Sequence, residues 1–150
     1  MNRRMMLAVS MMVLSLSSIA RSQDDDKAKK DRTDMQGTWV PSAAELDGEK
    51  LPDEAIKSIK LVVKDDKYTV TVGDAVDKGT VTLDTSSDPR GMEIKGTDGP
   101  NKGKTIPAIY ELKDDTMRVC YDLNEKKRPT EFKTKAGTNL YLVTYKREKP

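Results

Sequence analysis

From Met35 onward the chain alternates apolar and polar residues in short runs cut by turn residues, the period-2 signature of strands with one buried face. Gly37-Thr38-Trp39-Val40 is the first run and ends at Pro41. Ile59 to Lys64 and Tyr68 to Val72 form a hairpin around Asp65-Asp66-Lys67, with Tyr68, Val70 and Val72 facing one way and Thr69 and Thr71 the other. Gly79 to Leu83 sets Val81 and Leu83 against Thr80 and Thr82, and Gly91 to Gly96 sets Met92 and Ile94 against Glu93 and Lys95. Lys104 to Leu112 aligns Ile106, Ala108, Tyr110 and Leu112 on one face. In Thr116 to Asp122 the matching set is Met117, Val119 and Tyr121. Asn139 to Arg147 offers two candidate faces, Leu140, Leu142 and Thr144 or Tyr141, Val143 and Tyr145. Between the first two strands, Pro52-Asp53-Glu54 starts a short helical turn running through Ala55-Ile56-Lys57.

Eight strands in about 115 residues, with turn signals roughly every 8–12 residues, predict an all-β sandwich or barrel. Each strand is followed by its hairpin partner, which favours an up-and-down meander. Closing the meander removes its exposed edges, so the expected fold is an eight-stranded antiparallel barrel over residues 35–148.

The first 34 residues follow different rules. Asn2-Arg3-Arg4 is a basic start, Met5 to Ile19 carries no charge, and Ser18-Ile19-Ala20 places small residues where a signal peptidase reads. Residues 1–20 are thus read as an export signal, too short and too rich in serine for a span of about 20 apolar residues. No cysteine follows to carry a lipid anchor. Residues 21–34, R-S-Q-D-D-D-K-A-K-K-D-R-T-D, contain nothing bulky and apolar, and are expected to form a disordered, charged linker. Asp24-Asp25-Asp26 lacks the spaced ligands of a calcium loop.

Export changes the charge balance. The leader holds two of the 27 basic residues and none of the 25 acidic ones, so the remaining chain has equal numbers of each. No net positive field remains to attract nucleic acid. The single cysteine, Cys120, cannot form an internal disulfide, which leaves stability to core packing.

Gly-x-Trp on the first strand, here Gly37-Thr38-Trp39, resembles the hallmark of lipocalin-like barrels. The resemblance implies that Trp39 plugs the closed end and that a basic residue of the last strand, Arg147 or Lys146, packs across it. A guanidinium over an indole face is a favourable contact. More closely, the chain resembles a family of exported planctomycete domains of unknown function. Its markers are Met35-Gln36-Gly37-Thr38-Trp39, Asp47-Gly48-Glu49, Thr97 to Thr105 (T-D-G-P-N-K-G-K-T), Ile109-Tyr110-Glu111-Leu112 and Arg128-Pro129-Thr130-Glu131-Phe132. That family implies a lipocalin-like barrel and supplies no catalytic residues. The chain is shorter than ordinary lipocalins and lacks their long C-terminal helix, a departure that argues against a roomy pocket.

Chemistry is sparse. Gly103-Lys104-Thr105 imitates the end of a phosphate loop, but Gly99 stands one residue too close and a β-branched run follows where a helix is needed. The chain has no histidine, which excludes Ser-His-Asp and Cys-His centres and removes the commonest general base. Asp65-Asp66 and Asp114-Asp115 sit at hairpin tips, where aspartate serves the turn rather than acid–base catalysis. Cys120 points away from Val119 and Tyr121 and is read as a packing residue.

Candidate ligand contacts are Tyr68, Tyr110 and Tyr121, whose hydroxyls need partners if buried, and Arg128, Glu131 and Phe132 at a barrel mouth. In the competing reading Phe132 plugs the barrel while Arg128 and Glu131 pair across the rim. Gly37, Trp39 and Arg147 are assigned to barrel closure. A barrel of eight strands either fills its lumen or holds one small ligand. Two functional readings follow. One is an exported, non-enzymatic module without a cofactor, binding a small apolar or amphipathic ligand. The other is a structural or protein-interaction module of the cell envelope with a filled barrel. A cavity above about 300 Å³ favours the first.

Overall fold

The computed structural model describes residues 17–149. Within it the alternating runs become β1 (Gly37–Leu46), β2 (Glu49–Lys50), β3 (Ile59–Lys64), β4 (Lys67–Val72), β5 (Ala75–Asp84), β6 (Arg90–Asp98), β7 (Thr105–Lys113), β8 (Thr116–Asp122) and β9 (Leu140–Arg147). Two helices, α1 (Ser17–Met35) and α2 (Asp53–Ile56), lie outside the sheet. Every long strand pairs antiparallel with its neighbour in sequence, and β9 returns to β1 from Trp39↔Arg147 to Leu46↔Tyr141. The chain therefore forms the expected eight-stranded, up-and-down, lipocalin-like barrel, with the two-residue β2 covering the free flank at the end of β1.

The turns obey the chemistry of their residues. Asp65 and Asp114 each open a two-residue connection with a left-handed backbone, φ 56° and 55°, a conformation aspartate tolerates better than most residues. Both aspartate pairs are turn formers.

Strand β1 runs further than the sequence suggests. Pro41 does not end it: it stays in register with Tyr145, and a bulge directly after it leaves Ser42 as the extra residue before Ala43 meets Thr144. Beyond the bulge β1 leaves β3 and continues beside β9.

Residues 21–34 also depart from expectation. They are helical, forming most of α1, and only the far end of that helix docks on the barrel. Asp31 is 4% exposed, and its carboxylate accepts from the Arg90 guanidinium at 3.0 and 2.8 Å and from the Tyr110 hydroxyl at 2.7 Å. Met35 is buried in the core. The last four carbonyls of a helix normally lack partners. Here the Arg32 carbonyl accepts from Gln36 Nε2, Thr33 from the Gln36 amide, Asp34 from an Arg147 Nη, and Met35 from Trp39 Nε1. The apolar poverty of the segment is thus offset by polar capping and by the buried Asp31 carboxylate, which holds the half-exposed Arg90. The export signal expected over 1–20 lies outside the described residues except for its last four positions, which begin α1. No helix among the described residues is long and apolar enough to cross a membrane.

Candidate functional site

The barrel is closed at one end and hollow above it. Trp39 is fully buried, and the Arg147 Cζ stands 4.3 Å from its ring centroid. Arg147 also bonds the carbonyls of Gln36 and Asp34 and donates from Nε to Asp115 at 3.1 Å. Gly37 fits this latch because its φ is +121° and a Cβ there would lie 3.2 Å from an Arg147 Nη. Arg147, rather than Lys146, is the residue across the tryptophan.

Above the closed end lies a cavity of about 340 Å³. This is near the lower end of small-molecule sites, which run from roughly 300 to 1,000 Å³. Its walls are mostly aliphatic side chains of β3 to β8, among them Leu61, Val70, Ile94 and Val119, with Met35 of α1 at its base. Space at this position follows from the sequence: strand after strand offers valine or isoleucine inward, too short to meet across eight strands. Val72, 46% exposed, lies toward the open end.

A few polar groups interrupt these walls. Asp77, 9% exposed, accepts the Tyr68 hydroxyl at 3.0 Å, the Asn101 amide at 3.0 Å and the Asn101 side-chain nitrogen at 2.9 Å. Tyr68 lies flat because its partner in register is Gly79, where a Cβ would come 2.6 Å from the Tyr68 ring. The hydroxyls of Tyr121 and Tyr145 are 3.1 Å apart, and Tyr121 stacks on Tyr141 with centroids separated by 5.8 Å. Burial, and then the Asp77 charge, raise the Tyr68 phenol above its ordinary range. Burial is likewise the first cause of the upward shifts of Tyr121, Tyr141 and Tyr145. These hydroxyls are neutral donors and acceptors near neutral pH.

Of the expected ligand contacts, Tyr68 and Tyr121 line this cavity. Tyr110 does not. It is buried at the closed end, spent on Asp31. Arg128, Glu131 and Phe132 neither line the mouth nor plug the barrel, because residues 124–139 run as a strap over its outer surface. Gly91, Ile109, Cys120, Leu142 and Glu45 form one cross-strand row. Their chain neighbours Met92 and Val119 point inward, so this row faces out. The strap lies along it. The Arg128 guanidinium occupies the space a Cβ would need on Gly91 and bonds Asp84 and Ser87, both at 3.0 Å. Cys120 Sγ approaches the Lys133 carbonyl at 3.6 Å, and Thr134 bonds Glu45. Phe132 sits under the Arg118 guanidinium at 4.3 Å, outside the barrel, while Glu131 is exposed.

Asp77, Asn101, Tyr141 and Tyr145 are cavity residues that the sequence reading did not select. Two signals point to them. Extending the β5 alternation back from Val81 through Gly79 puts Asp77 inward, and placing Arg147 over Trp39 puts Tyr145 and Tyr141 on that same face of β9. No family model matches the chain, and no curated protein or solved structure is similar enough to bear on its function.

Proposed function

We propose that the chain is an exported, non-enzymatic binding module that takes a small apolar or amphipathic ligand inside its barrel. The observation that carries this reading is the cavity of about 340 Å³, walled by aliphatic and tyrosine side chains and interrupted by a few convergent polar groups. This open-ended cavity keeps aliphatic surface in contact with water, which is unfavourable. A guest that displaces water from it recovers apolar contact. The cavity favours this reading over an envelope interaction module with a filled barrel. The resemblance to lipocalin-like domains, carried by Gly37, Trp39 and Arg147, supports it too.

A neutral, environment-sensitive dye such as N-phenyl-1-naphthylamine tests it. Saturable binding of one dye per chain is expected, and Val70→Trp, which fills the cavity from its wall, should abolish it while the fold persists by circular dichroism. No saturable binding, or binding indifferent to Val70→Trp, overturns the proposal.

A further inference from the structure

We infer that the cavity selects an amphipathic organic cation, an ammonium group carried on a compact apolar body, and that Asp77 is the residue that receives the charge. This inference deepens the ligand-binding reading proposed above and rests on it. Among the described residues that line the cavity, Asp77 is the one charged side chain, and no lysine or arginine shares the wall. Its three donors are all neutral: the Tyr68 hydroxyl and two nitrogens of Asn101. It belongs to none of the ion pairs among the described residues. Of the other two buried carboxylates among the described residues, Asp31 has Arg90 at 2.8 Å, and Asp122 is met by the backbone amides of Asn124, Lys126 and Lys127 and lines no part of the cavity. A carboxylate held in an apolar space keeps a favourable place for a positive charge and repels an anionic one.

The neighbouring rings fit the same guest. Tyrosine faces carry negative potential, and a cation held near them gains by cation–π attraction. Tyr121, Tyr141 and Tyr145 supply such rings on β8 and β9, across the lumen from β5. Tyr68 with Asp77 and Tyr121 with Tyr145 line the same cavity, which puts the two polar clusters on one lumen. Fatty acids, the obvious guests of a greasy barrel, would bring a second carboxylate to Asp77 with no cation between them.

The test compares three probes of equal chain length on the purified chain by calorimetry: decyltrimethylammonium, decanoate and decanol. The naphthylamine dye serves as a reporter of the cavity itself. The cation should bind at least about tenfold more tightly than either of the others, the size of effect a charge-assisted contact supplies. Asp77→Asn should remove that preference, so that in folded protein the cation and decanol bind alike. Because the parent protein alone reports the charge preference, a poorly folded variant would not hide the answer. If the dye binds but decanoate or decanol matches the cation, the inference fails and the binding module stands. A cation preference that survives Asp77→Asn in folded protein removes Asp77 from the role and overturns the inference. If no probe binds, both readings fall.

Discussion

The guanidinium of Arg147 covers the indole of Trp39 at 4.3 Å, joining the last residue of β9 to the third residue of β1 across their antiparallel pairing. That one contact closes the barrel floor, and both side chains also cap α1, through the Met35 carbonyl for Trp39 and the Asp34 carbonyl for Arg147. Trp39→Ala should therefore cost about 3–5 kcal/mol, as large aromatic deletions from cores do. Denaturant titration measures it, and a loss near zero would refute the floor assignment.

A second consequence concerns the docking of α1. Asp31→Ala strips the Tyr110 hydroxyl of its acceptor and leaves the half-exposed Arg90 without its partner. Bonds to charged groups contribute roughly 1.5–3 kcal/mol, and the exposure of Arg90 argues for the lower half of that range. Far-ultraviolet circular dichroism should also lose helix signal as α1 frays. Unchanged helicity and stability together would mean that Asp31 does not hold the helix.

These two cases divide what the sequence discloses from what it hides. Strand alternation in β4 to β8 is a local signal, so inward residues such as Val81, Met92 and Ile106 can be read directly, and Gly37-Thr38-Trp39 marks the floor. Asp31 cannot be read this way. Its partners lie 59 and 79 residues along the chain, and nothing in D-R-T-D distinguishes it from a solvated aspartate. The strap is silent for a similar reason. Residues 124–139 have no period, and Phe132 finds its place only after β7 and β8 bring Arg118 beside Glu111. A lone phenylalanine in a polar segment implies burial, but not on which side of the sheet.

Alkaline pH should unfold the barrel. Tyr68, Tyr110, Tyr121, Tyr141 and Tyr145 all have folded-state values raised above the ordinary 10.0, chiefly by burial. A raised value means the folded state holds its proton more tightly than the unfolded chain. The associated stability is complete below pH 10.0 and is lost as pH rises beyond it. Urea midpoints should stay level through mild alkali and then fall, with phenolate absorbance appearing together with unfolding. Phenolate appearing earlier, in protein still folded, would contradict the burial of this set.

Cys120 supplies a probe of the strap. Its side chain is fully buried on the outer face of β8, under residues 124–139, with Sγ 3.6 Å from the Lys133 carbonyl. Arg118, two residues away on the same face, is occupied by Glu111 at 2.9 Å and by Phe132. Burial raises the thiol above its ordinary 9.0, outweighing the smaller downward pulls of the Lys133 carbonyl and of Arg118. The reactive thiolate is therefore scarce in the folded chain, and a thiol reagent must wait for the strap to lift. Labelling at neutral pH should be slower than in denaturant by roughly a hundredfold or more, equivalent to an opening free energy of about 3 kcal/mol. Phe132→Ala should speed native labelling while moving the global unfolding midpoint much less, because it loosens the strap and leaves the interior of the barrel intact. Cys120→Ala should keep the fold. Rapid labelling of the parent protein, or a covalent dimer on a non-reducing gel, would place Cys120 at the surface and undo this account of the strap.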